Sequence, residues 1–240
     1  CKDILFSPYD EIALNHNINR IFPKNLIKKK SIYSGTDLDI VWSHTDQNYD
    51  ARSKIKLSDL KANKEYLNVL ENIYHDLKNA LDNLKEYDMF PDSKSLTKGN
   101  KWKWLSLEKV SKDNKKIRDA FNSLDLNTDF GMYPFLSKLE AGTSISRHSG
   151  STTFRHRIHM GIYTPEPNDS YIIVDDIKYF WAEGKAFIFD DSLPHEVKHE
   201  GKLDRIVLIV DIWPSFIELE TKKFIKSNIF WMKQLCVLEN

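Results

Sequence analysis

Cysteine is nearly absent from this chain. Cys1 and Cys236 stand at opposite ends of 240 residues, too few for a disulfide framework, and this usage fits a reducing compartment. Net charge is absent altogether: 35 Lys and Arg balance 35 Asp and Glu, which removes the broad basic footprint that nucleic-acid or anionic-membrane binding needs. No apolar run approaches the roughly 20 residues of a membrane span. The opening CKDILFSPYDEIALNHN lacks the basic-then-apolar pattern of a secretory signal. These absences predict a cytoplasmic protein with no membrane span and no nucleic-acid partner, acting on a peptide or small molecule. What is present is core material, 41% apolar and 12% aromatic residues, enough for one large domain.

Four segments are predicted. Residues 1–56 show no clear period and are read as an irregular region packing on the core, with Lys28-Lys29-Lys30 as a solvated patch. Residues 57–130 are read as helical support. Leu60, Leu67, Leu70, Ile73, Leu77, Leu81 and Leu84 recur at three and four between Ser58 and Tyr87, and a weaker helix is expected from Leu107 to Ser123. From 131 to 214 the texture changes to short runs rich in Ile, Val, Phe and Tyr between Gly, Pro and Asp clusters. Strands are expected near 133–139, 153–163, 171–174, 177–181, 186–189, 196–199 and 205–213, with Val174-Asp175-Asp176-Ile177 as a hairpin turn. So many strands imply a sandwich, jelly roll or barrel with flanking helices. Residues 215–240 read as a C-terminal helix.

The stretch His195-Glu196-Val197-Lys198-His199 matches the H-E-x-x-H pattern of zinc proteases, which needs both histidines one turn apart on a helix. Its surroundings oppose a helix. Pro194 precedes it, Gly201 follows closely, and RIVLIVDIW downstream is strongly β-branched. On a strand the two imidazoles would stand about 13 Å apart, too far to share one ion. His156 and His199 are therefore read as non-ligands.

Five of the eight histidines fall between 148 and 199. Along Phe154–Tyr163 the residues Arg155, Arg157, His159 and Gly161 share one strand face. Arg205 leads a strand apolar on both faces, which marks a buried strand, and an arginine there needs an anionic partner such as a carboxylate bound bidentately. The β region thus offers two metal-capable imidazoles, His148 and His195, among several cationic groups. A first-row metal beside carboxylate-binding cations suits an iron enzyme with a dicarboxylate co-substrate.

His148-Ser149-Gly150, Arg155-x-Arg157-x-His159, Trp181-x-Glu183-Gly184, Phe189-Asp190-Asp191-Ser192-x-x-His195, Arg205 and Val210-Asp211-Ile212-Trp213, in that order, resemble the aspartyl/asparaginyl β-hydroxylase family of Fe(II)- and 2-oxoglutarate-dependent oxygenases. The resemblance runs over about 65–214. It implies a mainly β fold with flanking helices and a double-stranded β-helix, jelly-roll or cupin-like, core. It also implies a dioxygenase using Fe(II), 2-oxoglutarate and O2, with His148 and His195 as metal ligands. By the same resemblance Ser137, His159 and Arg205 hold 2-oxoglutarate, Arg155 and Arg157 face an acidic substrate side chain, and no further catalytic residue is called for. Where many relatives in the wider superfamily carry an acidic ligand stands Gly150, similar to the peptide-hydroxylating branch and unlike the lipid-hydroxylating one.

The expected reaction is hydroxylation at the β-carbon of an aspartyl or asparaginyl group in a peptide or amino acid. Two alternatives stay open: the same chemistry on another amino acid, carrier-bound residue or lipid, and a catalytically silent binding module. Asp190-Asp191 is expected to turn the chain and support a ligand rather than bind metal. Trp102, Trp104, Trp181 and Trp213 read as core or rim aromatics, with Trp102 and Trp104 able to line a groove.

Overall fold

The computed structural model describes residues 57–81, 87–90, 96–97, 101–129, 131–148, 150, 155–166, 168–174, 176–191, 193–214, 217 and 219–227. The predicted irregular region 1–56, the basic run at 28–30, the start of the strand expected from 153 and the tail 228–240 lie outside them.

The three-and-four leucine period forms α1 (Leu57–Asn72) and α2 (Tyr74–Leu81). The aromatic stretch after them is a strand, β2 (Trp102–Ser106), beside the short β1 (Asp88–Met89). The expected single helix over 107–123 is two, α3 (Leu107–Ser111) and α4 (Lys115–Asn122). Asn114 separates them as the N-cap of α4, its side-chain oxygen accepting from the Ile117 backbone N–H at 3.2 Å. Eight strands follow: β3 (Phe135–Leu139), β4 (Ile145–His148), β5 (His156–Tyr163), β6 (Ser170–Val174), β7 (Ile177–Phe180), β8 (Ala186–Phe189), β9 (His195–His199) and β10 (Arg205–Ile212). The helix α5 (Leu219–Ser227) ends the described chain. No helix among the described residues is long and apolar enough to cross a membrane.

The strands form two antiparallel sheets. The larger has the order β1-β2-β3-β10-β5-β8 and the smaller β4-β9-β6-β7. Within β3 to β10 consecutive strands alternate between the sheets, except at the β6–β7 hairpin, so the chain winds as a double-stranded β-helix, a jelly roll closed by sequence-distant pairs. The hairpin pairs Val174 with Ile177, and Asp176 takes φ 66°, a left-handed conformation that Asp tolerates in such turns. The segment 57–130, predicted as helical, also supplies β1 and β2, which widen the larger sheet; β2 pairs with β3 from Trp102↔Leu139 to Ser106↔Phe135.

Each face of the larger sheet buries its own layer. Ile158, Met160 and Ile162 of β5, with Leu208, Val210 and Ile212 of β10, pack against the helices through Leu70, Leu77 and Phe121. Val207 and Ile209 face the other way, into the space between the sheets, with Phe135, Ile145, Ile172 and Val197. The period-two alternation in RIVLIVDI therefore records a strand buried on both sides.

One close approach links the helices to the barrel. Gly161 of β5 bridges to Glu183, and the Gly184 N–H donates to the Gly161 carbonyl at 2.9 Å. Glu183 accepts from Tyr74 Oη (2.7 Å), Lys78 Nζ (2.5 Å) and the Thr164 N–H (3.0 Å). A Cβ at Gly161 would come within 2.5 Å of the Ala182 carbonyl oxygen, a backbone atom that cannot swing away. Gly161→Ala is expected to lower stability by about 1–3 kcal/mol in urea denaturation, the usual cost of overpacking.

Candidate active site

β4 and β9 are neighbours in the smaller sheet, and their register places His148 opposite His195. Strand pairing therefore joins residues 47 positions apart in sequence. Their ring centroids are 4.2 Å apart, with planes inclined at 58°. His148 Nδ1 lies 2.7 Å from the Ser146 carbonyl oxygen and His195 Nδ1 2.8 Å from that of Leu193. A carbonyl only accepts, so each Nδ1 carries the proton and each Nε2 keeps its lone pair. Burial first, then neighbouring His195, pushes the His148 pKa down to about 3; burial lowers that of His195 against the pull of Asp191. Both rings are neutral, the form a metal requires. Among the described residues no cluster of three or more His, Cys, Asp or Glu side chains could hold a metal ion.

H-E-x-x-H is a strand throughout. His199 lies in β9 with its Nε2 2.7 Å from the Leu203 carbonyl oxygen, and Glu196 pairs with Lys198 at 2.7 Å. The zinc-protease arrangement does not form.

Opposite the histidine pair, the larger sheet contributes His159, Arg205 and Ser137 from β5, β10 and β3. With His148 and His195 they line one cavity between the sheets, partly continuous with solvent and walled by Ile145, Ile172, Val197 and Ile209. Ser137 Oγ accepts from Trp102 Nε1 at 2.9 Å, and Trp102 lines the same cavity. Trp104 instead packs edge-on against Phe135. Arg205 is 2% exposed and has no carboxylate partner among the described residues, and its Nε–H finds no acceptor. Burial drops its pKa to about 9. Neither nitrogen of His159 has a hydrogen-bond partner among the described residues. Burial, then Arg157 and Arg205, hold that imidazole well below its ordinary pKa, hence neutral. Buried donors without acceptors are costly unless a ligand satisfies them.

Arg155 and Arg157 also reach this region, but they are already engaged. Arg155 donates to Asp191 from Nε (2.9 Å) and Nη2 (2.5 Å). Arg157 spans Asp211 through Nε (2.8 Å) and Nη2 (3.0 Å) and meets Asp191 through Nη1 at 2.8 Å. Two cations thus face two buried carboxylates, and the cluster is balanced in charge. Burial alone would raise the Asp191 carboxyl; Arg155 and then Arg157 overrule it and hold the group well below the usual carboxylate range. A Cβ placed at Gly150 would overlap the Asp191 carboxylate, whose Oδ1 stands 3.8 Å from His195 Nε2. The space of an acidic side chain at position 150 is therefore occupied by Asp191.

The structure brings the expected His148, His195, Ser137, His159 and Arg205 into one cavity, and Arg157 lines it as well. Sequence reasoning missed the partners of the arginines. Asp211 has no local signal beyond lying on the Arg205 face of its strand, and Asp191, expected to turn the chain and support a ligand, carries no sequence sign of its pairing with Arg155 and Arg157. Trp181, expected among the core or rim aromatics, is core and lies behind Arg205.

A profile of the Aspartyl/Asparaginyl beta-hydroxylase family matches residues 68–214. Aspartate beta-hydroxylase domain-containing protein 2 of Homo sapiens is 41% identical over 81 residues, covering 32% of this chain and 21% of that protein. Aspartyl/asparaginyl beta-hydroxylase of Homo sapiens is 38% identical over 77 residues, 32% of this chain and 10% of that one. Ornithine lipid ester-linked acyl 2-hydroxylase of Rhizobium tropici is 42% identical over 76 residues, 31% and 27%. The matched part is thus between a tenth and just over a quarter of each relative's length. Among solved structures, a cupin-superfamily sugar phosphate isomerase from Silicibacter pomeroyi aligns with TM-score 0.33 at 14% identity, covering 55% of this chain and 73% of that one. The fold itself is read from the strand order above. Because the profile takes in every described β-strand, the histidine pair and Arg205, the chain belongs to the aspartyl/asparaginyl β-hydroxylase family.

Proposed function

We propose that this chain is an Fe(II)- and 2-oxoglutarate-dependent hydroxylase that oxidises the β-carbon of an aspartyl or asparaginyl group in a peptide or amino acid. One observation carries the reading: two imidazoles with Nδ1 tied to backbone carbonyls share a cavity between the sheets with an arginine that has no carboxylate partner among the described residues. The donor set fits the group, since neutral imidazole nitrogens suit Fe(II) and two of them leave positions for co-substrate and O2. His148 and His195 would hold the iron. Iron held there would supply the oxidative chemistry in which O2 and 2-oxoglutarate give succinate and CO2, with one oxygen atom entering a substrate C–H bond.

The other residues bind and orient. The planar fork of Arg205 matches the distal carboxylate of 2-oxoglutarate, with the Ser137 hydroxyl beside it in the cavity. His159, held neutral, offers one N–H to the carboxylate beside the keto group. The apolar walls keep water from these contacts and so strengthen them. Arg155 and Arg157 face the substrate side chain through guanidiniums whose charge Asp191 and Asp211 already balance. Such a cluster recognises by hydrogen-bond geometry rather than net charge, which suits an asparaginyl amide as well as an aspartyl carboxylate. The identity to an acyl-lipid hydroxylase favours a lipid as the second reading for the substrate.

Purified protein with Fe(II), ascorbate and 2-oxoglutarate is expected to form succinate in the presence of an aspartyl or asparaginyl peptide. In Arg205→Ala the KM for 2-oxoglutarate is expected to rise about 10- to 100-fold, the loss of one or two charge-assisted hydrogen bonds. Succinate only with acyl lipids would move the substrate assignment. No succinate with any substrate, despite bound metal, would favour a binding module.

A further inference from the structure

Trp181 closes the stretch after β7 and is 1% exposed. The Arg205 Cζ lies 4.4 Å from the centre of its ring, inside the range of a cation–π contact. The His159 ring lies 5.9 Å from the same indole at 24°, close to parallel. Arg205 and His159 both line the cavity and Trp181 does not, so the indole stands behind the two groups rather than in the cavity. These groups start far apart: His159 is in register with Ile209, four residues along β10 from Arg205, about 13 Å at strand rise. The backbone of Trp181 is fixed in turn, because the next residues are pinned where Gly184 donates to Gly161 and where Glu183 accepts from Tyr74 and Lys78.

We infer that Trp181 is a positioning residue that sets the plane of the Arg205 guanidinium and its placement relative to His159, and thereby confers preference for a dicarboxylic over a monocarboxylic 2-oxo acid. The inference rests on Arg205 and His159 being the co-substrate contacts proposed above. A guanidinium binds a carboxylate with two parallel N–H groups only when its plane is set, and an aromatic face sets it without competing for those donors. With the plane set beforehand, less rotamer freedom is lost on binding.

The test measures binding rather than turnover. Mn(II)-loaded protein is titrated without O2 by calorimetry, with 2-oxoglutarate and with 2-oxobutyrate, which lacks the distal carboxylate. Wild type is expected to prefer 2-oxoglutarate. Trp181→Leu, which keeps apolar bulk and loses the aromatic face, is expected to weaken 2-oxoglutarate about tenfold and 2-oxobutyrate less than twofold. Trp181→Phe, which restores a face, is expected to recover most of the loss. Should the leucine variant not fold, Trp181→Met against Trp181→Phe makes the same comparison. Equal weakening of both acids would show mere structural support, and no weakening of either would show no role; each overturns the inference while the co-substrate reading stands. A wild type without preference for 2-oxoglutarate overturns both.

Discussion

His148→Ala and His195→Ala are each expected to lose metal binding and to lower hydroxylation by more than a hundredfold, beyond the roughly 10- to 100-fold that follows loss of a residue merely supporting a ligand. Each variant leaves one imidazole where two face each other across the β4–β9 register, and the described residues offer no third ligand cluster to compensate. Both are expected to stay folded. Each ring's Nδ1 bonds to a carbonyl two residues away, a local tie whose loss costs about 1 kcal/mol. His199→Ala is the matched control from the same strand. Its ring is held by the Leu203 carbonyl, so it should lose some stability and keep its metal. Metal content after dialysis, with succinate release, checks all three. Retention of metal and native turnover by His148→Ala would refute the ligand assignment, and metal loss in His199→Ala would refute the reading of His199 as a non-ligand.

The second large effect is on stability. Asp191→Ala removes the carboxylate that Arg155 reaches through two nitrogens and Arg157 through a third. The carboxylate is 1% exposed and the two arginine side chains 13% and 15%, so solvent cannot replace it. Breaking a buried pair from one side costs about 3–5 kcal/mol, because the remaining charge stays buried. For a domain of this size that is a fall of about 6–20 °C in Tm. Asp191→Asn keeps the shape and loses the charge, and should fall between wild type and alanine. The pH dependence follows from the depressed carboxyl. Its stabilisation is fully present above the unfolded value of about 4 and is lost as pH falls through the lower folded value. Wild type should therefore lose stability more steeply than Asp191→Asn below about pH 4. Parallel acid curves for the two proteins would show that Asp191 contributes no ionic stabilisation.

The elements carrying the strongest local pattern are legible in the sequence alone. RIVLIVDI reads as buried on both faces because side chains alternate with period two and branched residues fill both cores. The leucines of α1 and α2 read as a helix face for the same reason at period 3.6. β4 did not read as a strand: Ile145-Ser146-Arg147-His148 has one aliphatic side chain, and pairing with β9 makes it one. β2 looked like an aromatic patch, and its ladder to β3 decides otherwise. Both depend on hydrogen bonds to residues far away in sequence, which no local window contains.

The site divides along the same line. By itself the sequence offered the side chains that could act, two metal-capable imidazoles on separate segments and an arginine leading β10, and the resemblance implied a glycine where wider relatives carry an acidic ligand. Their identities and alternation are local properties of the chain. Only the tertiary structure decided which charges neutralise which. Arg155 and Arg157, which the resemblance implied would face an acidic substrate, meet Asp191 and Asp211, and the Asp191 carboxylate fills the space beside Gly150. Trp181 became a platform for Arg205 in the same way. A buried charge takes whichever partner the closed barrel brings within about 3 Å, and that distance exists only once the two sheets have met.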